Sequence, residues 1–321
     1  MRTFRLAVPM VAAVMLLAAC GPADERAATP SVTVAAPEVS HSPTPTPTLT
    51  PEVVQDALTC DTLRIEEAAA AIGSEVGERW MPFYEAEAAV VGGVSCLWLM
   101  PLLEVAVFPA GLTTGTDWQA GCNGWGYDFT ACTDVRTVEG HWISVTVGDT
   151  DAVGSSASPE IASALADHIE ARLAETGLPA PAPRTADWWD TPTCQELGAA
   201  VAWPWEIHPE SGTPLEPGRS AARAVSEGAG SGLVCEWWGD DQFLPSATVV
   251  PGGAGAWDAL TEAGEAVVVP GATEARRVAG SGNPWLAVTD GTNMFTLRVS
   301  GDPEGRTLVG AAEELLRALR A

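Results

Sequence analysis

The pentapeptide Thr59-Cys60-Asp61-Thr62-Leu63 returns as Thr193-Cys194-Gln195-Glu196-Leu197, and the landmarks that follow it return in the same order. Cys60 is followed by Cys96 and Cys194 by Cys235, each with a tryptophan two residues on, Trp98 and Trp237. Trp118 and Trp257 then stand at the same distance past the second cysteine. Between them run two apolar segments that close on proline and glycine, "VAVFPAG" and "ATVVPGG". Each copy ends in a cap, a proline and an acid, Ser158-Pro159-Glu160 and Asp302-Pro303-Glu304. Proline at the first helical position and an acid in the first turn suit the free N–H groups and the dipole of a helix start. The apolar stripes that follow, Ile161, Leu165, Ile169, Leu173 and Leu308, Ala312, Leu315, Leu319, have helical spacing. This many ordered matches require a tandem duplication of a unit of roughly 130 residues, an ordinary domain size.

Within a unit, Thr193 and Glu196 form a capping-box pattern, which starts the first helix at the repeated pentapeptide. The first cysteine lies at that helix start and the second in a strand. Alternation along the strand sends Cys96 and Trp98 to one face. A Cys60–Cys96 bridge would therefore pin helix to sheet with Trp98 beside it, and Cys194–Cys235 with Trp237 would repeat the arrangement. In the chain-entropy model each such bridge contributes roughly 4 kcal/mol. Cys122 and Cys132 occur in the first copy alone and would close a small loop worth roughly 3 kcal/mol. "WLAVTDGTNMFTLRV" reads as a hairpin turning at Asp290-Gly291, and "CTDVRTVEGHWISVTV" as its counterpart turning at Glu139-Gly140. The expected fold class is α+β: two tandem repeats, each an antiparallel sheet with helices packed on one face. The boundaries read as 57–177 and 191–321, with the Pro-rich joint 178–190 between them.

The N-terminus assigns a compartment. Arg2 and Arg5 precede an apolar run too short to span a bilayer but suited to a signal peptide over 1–19. Leu17-Ala18-Ala19-Cys20 looks like a bacterial lipobox, in which the cysteine thiol is acylated and the chain is cut just before it. The partner this implies is the membrane itself, reached through a lipid such as palmitate on Cys20 at the outer face of the cytoplasmic membrane. Seven cysteines leave one spare after pairing, and Cys20 is that one. Cys60, Cys96, Cys122, Cys132, Cys194 and Cys235 then read as three disulfides of an exported chain. Residues 20–56, rich in proline and threonine, lack the apolar surface to fold and read as a disordered tether with Thr44, Thr46 and Thr48 open to glycosylation. The formal net charge of −26, with no lysine, argues against nucleic acid or anionic lipid headgroups as partners. Its plain use is solubility.

The Thr-Cys-x-x-Leu opening, the later Cys-x-Trp strand and the lipobox together resemble exported actinobacterial lipoproteins of a domain family of unknown function. This chain departs from the family pattern in carrying two copies and an added cysteine pair. The resemblance implies a compartment and a fold. It implies no catalytic residue.

The remaining motifs carry chemistry weakly. Asp149, Asp151, Gly154 and Glu160 fall on ligand and turn positions of a calcium-loop template, yet Val153 and Ala157 occupy two other ligand positions. Glu160 is equally well explained as a first-turn acid. His41, His141, His168 and His208 show no ligand spacing, and His168 reads as part of an exposed helix face. "GAGSG" lacks the frame of a nucleophile elbow, and without lysine there is neither a Schiff base nor a Ser-Lys dyad. Glu66-Glu67, Asp240-Asp241 and Glu313-Glu314 read as solvated faces. Trp188, Trp189, Trp203 and Trp205 either pack between the copies or line a groove where they meet, suited to sugars or an apolar peptide. The expectation is a lipid-anchored binding or scaffold protein of the cell envelope, without catalytic residue, cofactor or metal, whose partner is an envelope glycan or protein. The alternatives are an envelope glycan or peptide hydrolase and a calcium-dependent module.

Overall fold

The strand Leu103–Pro109 is buried along nearly its whole length, with no alternation between faces. A half-exposed sheet would alternate, so this sheet has cover on both sides. The computed structural model describes residues 57–79, 83–99, 102–113, 118–124, 130–148, 158–203, 213–214, 220–238, 244–261, 264–279, 284–300 and 307–321. Residues 53–321 form one compact unit. Cys20, the leader, the tether, Asp149, Asp151, Trp205 and the Asp302-Pro303-Glu304 cap lie outside the described residues.

In the first half the order is α1 (Ile65–Ala71), β1 (Glu78–Arg79), α2 (Phe83–Val90), β2 (Val94–Leu99), β3 (Leu103–Pro109), β4 (Gly121–Gly124), β5 (Thr130–Val138), β6 (His141–Gly148) and α3 (Pro159–Thr176). The second half runs α4 (Cys194–Ala199), β7 (Thr213–Pro214), α5 (Ala221–Gly228), β8 (Leu233–Glu236), β9 (Leu244–Val250), α6 (Trp257–Thr261), β10 (Glu265–Ala266), β11 (Glu274–Val278), β12 (Trp285–Thr289), β13 (Met294–Ser300) and α7 (Leu308–Leu319). Both sheets are antiparallel, in the orders β1-β2-β3-β6-β5-β4 and β10-β11-β12-β13-β9-β8-β7. Read from the opposite edge, the second sheet matches the first strand for strand and adds β10. The duplication is therefore one of architecture as well as motif.

Both hairpins turn where expected. Val138 pairs with His141 across Glu139 and Gly140, which take φ of 49° and 83°. Two successive left-handed residues define the tight turn whose twist matches its strands. The longer turn from Thr289 to Met294 has Gly291 at φ 96°.

The three disulfides are Cys60–Cys96, Cys122–Cys132 and Cys194–Cys235. Trp98 and Trp237, each 1% exposed, pack beside the two repeated bridges. Each indole finds a polar partner on the first helix: Trp98 Nε1 donates to Glu66 at 3.0 Å and Trp237 Nε1 to the Cys194 carbonyl at 2.8 Å. Glu66 is thus a partner of the core tryptophan and not merely a solvated acid.

The first helices differ in their starts. Thr193 and Glu196 close a full capping box at α4. In the first half Thr62 replaces the glutamate, and Thr59 and Thr62 exchange the same pair of bonds at 2.7 and 3.1 Å. Arg64 then takes φ 50°, and α1 begins only at Ile65. The short threonine closes a turn but does not carry the chain into a helix, so the pentapeptide begins a helix in one copy only.

Ser158 caps α3 as read from the sequence, accepting from the Ile161 N–H at 3.2 Å. Leu165, Ile169 and Leu173 are buried with α1 and the first sheet. Leu308, Ala312, Leu315 and Leu319 are buried in the matching place. His168 is not on an exposed face. It is half-buried, with Nε2 2.7 Å from the Leu63 carbonyl, while Arg172 Nε donates to the Thr62 carbonyl at 3.0 Å. Together they fasten α3 to the stretch that carries Cys60.

The first and last helices of each half lie on one face of its sheet. The other face is covered reciprocally. α2, from the first half, packs its Ala86 and Val90 with Val250 and Met294 of the second. α5, from the second half, packs Ala221, Ala222 and Val225 with Ala106, Phe108 and Trp142 of the first. Each half thus completes the other's core.

Candidate functional site

The layer formed by α2 and α5 holds the densest group of buried charges among the described residues. Glu87 on α2, Glu104 on β3 and Arg223 on α5 are 1%, 4% and 5% exposed, and Glu227 stands one turn beyond Arg223. Glu85 and Glu87 are neighbours on α2 with different fates. Glu85 pairs with Arg79 at 2.5 Å, and Arg79 also holds Asp61. Glu87 turns inward, behind Gly232: a Cβ there would stand 2.9 Å from the Glu87 carboxyl carbon. A side chain at 232 would have to displace the Glu87 carboxyl.

Glu104 joins the halves directly. Ser220 caps α5 by accepting from the Arg223 N–H at 3.2 Å, and its hydroxyl donates to Glu104 Oε1 at 2.5 Å. The Ala222 N–H also reaches Glu104 Oε1, at 3.3 Å. A carboxylate from one half thus caps the helix of the other, where free N–H groups and the dipole favour negative charge.

Burial raises the carboxyls of Glu87, Glu104 and Glu227, because a low-dielectric layer penalises the charged form. For Glu104 the Ser220 hydroxyl and the α5 N–H groups oppose that rise. For Glu227 the Arg223 charge and the Val234 N–H oppose it. Glu87 is pushed up to about 7, with Arg223 lowering it and Glu227 raising it. Glu87 Oε1 and Glu227 Oε1 are buried without a hydrogen-bond partner. Among the described residues three carboxyls, Glu87, Glu104 and Glu227, act on Arg223, and burial makes each hold its proton more readily than a water-exposed acid does.

Outside this layer Glu227 lines a cleft of about 480 Å³ with Thr191, Thr193, Gln195, Gly230 and Gly232, beside the Cys194–Cys235 bridge. Glu87 lies behind the wall of this cleft.

Of the two uses open to Trp188, Trp189 and Trp203, packing or lining a groove, the described residues show packing. Trp189 is 5% exposed in the second core, its ring 6.1 Å from Phe295. Trp188 packs beside α2, over Gly252, with Arg184 5.6 Å from its ring centroid. Trp203 lies 5.7 Å from Trp237 and donates to the Gly198 carbonyl. Trp238 turns outward and is half-exposed. The joint that carries Trp188 and Trp189 is itself fastened: Ala182 N donates to Val90, and buried Asn293 takes the Trp189 N–H and donates to the Asp187 carbonyl.

Glu160 is exposed in the first turn of α3, its carboxyl lowered by the Ser158 hydroxyl at 2.7 Å. Among the described residues no three His, Cys, Asp or Glu side chains are grouped to hold a metal ion. Among the same residues no helix is long and apolar enough to cross a membrane.

Sequence reading missed Glu87, Glu104 and Arg223. The signal was present as single charges inside apolar runs: Glu104 in "LLEVAVF", Glu87 in "AEAAVV" and Arg223 in "SAARAV". Such a charge is either at an edge or buried with a partner, and the sequence does not say which.

Fold and site define an α+β protein of two homologous antiparallel-sheet halves interlocked through a charged helical layer. The chain matches no family model, no curated protein and no solved structure.

Proposed function

We propose that this protein is a lipid-anchored binding or scaffold protein of the bacterial cell envelope, held by Cys20 at the outer face of the cytoplasmic membrane. The carrying observation is the disposition of cysteine. Six of the seven thiols form disulfides, which persist in oxidising compartments, and the seventh stands at the end of Leu17-Ala18-Ala19-Cys20. The resemblance to exported actinobacterial lipoproteins supports the same reading. In it the tether lets the folded body reach an envelope glycan or protein, and the buried carboxylates serve cohesion between the halves instead of turnover.

The test is expression of the full-length chain in a lipoprotein-processing bacterium fed an alkyne-tagged fatty acid. The wild type should take up label and partition into detergent, and Cys20→Ala should do neither. An unlabelled wild type with an intact fold would overturn the anchor. Crosslinking at the native membrane, followed by mass spectrometry of what is attached, identifies the partner. Recovery of the protein without any crosslinked glycan or protein counts against the scaffold role.

A further inference from the structure

We propose that the layer between the halves is a proton-operated clamp: a proton on Glu87 keeps α2 and α5 closed upon each other, and its loss loosens their contact. The geometry carries this. Glu87 is closed off behind Gly232 with one oxygen buried and unpartnered. Among the described residues the segments packed on α2 are β2, α5, β9, the 3₁₀ turn Gly253–Ala256 and the joint, through Trp188 and the Ala182 N–H. Of these, β2, β9 and the turn carry no charged residue, α5 carries Arg223 and Glu227, and the joint carries Arg184, stacked on Trp188, with Asp187 and Asp190. On α2 itself the other acid is Glu85, already paired with Arg79. Beyond them Glu104 also acts on Arg223, from β3.

Among the described residues Arg223 therefore answers Glu87, Glu104 and Glu227. With Glu87 neutral, the layer has one charge fewer to offset. With Glu87 ionised, a buried carboxylate behind Gly232 competes with Glu104 and Glu227 for the Arg223 charge. Burying such a charge is costly, so separation of α2 from α5, which admits water, becomes easier. The sign follows from linkage. The closed state retains the proton in a pH range where an opened, hydrated Glu87 has lost it, so closure weakens as pH rises from the ordinary carboxylate range to about 7 and changes little above it. An exported protein meets an unbuffered pH, and a device of this kind would couple that pH to exposure of the surface between the halves.

The experiment is hydrogen exchange of the purified full chain at roughly pH 5.5 and pH 8.5, corrected for intrinsic rates, with α3 as internal reference. Between these conditions the opening constant for α2 and α5 should rise about thirtyfold in the wild type. In Glu87→Gln, which cannot ionise, that rise should fall well below the wild-type value, to what the raised Glu104 and Glu227 carboxyls contribute. A wild type whose α2 and α5 protection is independent of pH would overturn the proposal, as would a Glu87→Gln protein with the same rise. Should Glu87→Gln fail to fold, carbon-13 titration of the wild-type Glu87 carboxyl decides. A midpoint near neutrality supports the clamp, and one in the ordinary carboxylate range refutes it.

Discussion

Replacing Cys194 and Cys235 together with alanine removes the bridge that joins α4 to β8, and its cost can be worked from the structure. The cysteines are 41 residues apart, so the unfolded chain recovers a loop worth roughly 4 kcal/mol in the chain-entropy model. The native geometry should survive, because both positions are buried and the Trp237 indole still has the residue 194 carbonyl. With a guanidinium dependence of roughly 5 kcal/mol per molar, the midpoint should fall by about 0.8 M. Tryptophan fluorescence reports the surroundings of Trp237, and far-ultraviolet circular dichroism reports both sheets. The interlocked layer adds a sharper expectation. Since α2 and α5 each complete the other half's core, the weakened second half should carry the first with it in a single transition seen equally by both probes. A loss below about 1 kcal/mol would refute the entropic argument. Two separate transitions, with the first half unmoved, would refute the interlock.

Two further substitutions test how the joint is held. Asn293→Ala removes the acceptor of the Trp189 and Gly252 N–H groups and the donor to Asp187, and should cost about 3 kcal/mol in a denaturant melt. A loss within error of zero would show that the joint is held without it. Gly252→Ala places a methyl group against the Trp188 ring at a position with φ 73°, and should cost roughly 3 kcal/mol with a change in Trp188 fluorescence.

The elements legible beforehand are those whose cause is local or repeated. The Ser158 cap acts within one helical turn, and the Glu139-Gly140 turn within two residues. The Cys60–Cys96 and Cys194–Cys235 bridges were legible because a cysteine of the repeated pentapeptide is twice followed, 36 and 41 residues on, by the same Cys-x-Trp. The pentapeptide misled in the first half because one substitution, Thr62 for Glu196, keeps the hydrogen bonds but shortens their reach. His168 misled because its partner, the Leu63 carbonyl, lies on a distant part of the chain. Trp189 was ambiguous for the same reason: an indole reads alike in the sequence whether it faces a ligand or Phe295.

Sequence alone determined that the chain is two copies of one sulfur-stapled α+β unit, because cap, turn and cysteine chemistry act over short spans and repetition exposes them. Tertiary structure decided that the copies are interlocked, that α2 and α5 each reach across to the other half, and that Glu87, Glu104 and Glu227 share Arg223. The reason is desolvation. A carboxylate's behaviour depends on which surfaces close over it, and those surfaces come from the other half of the molecule.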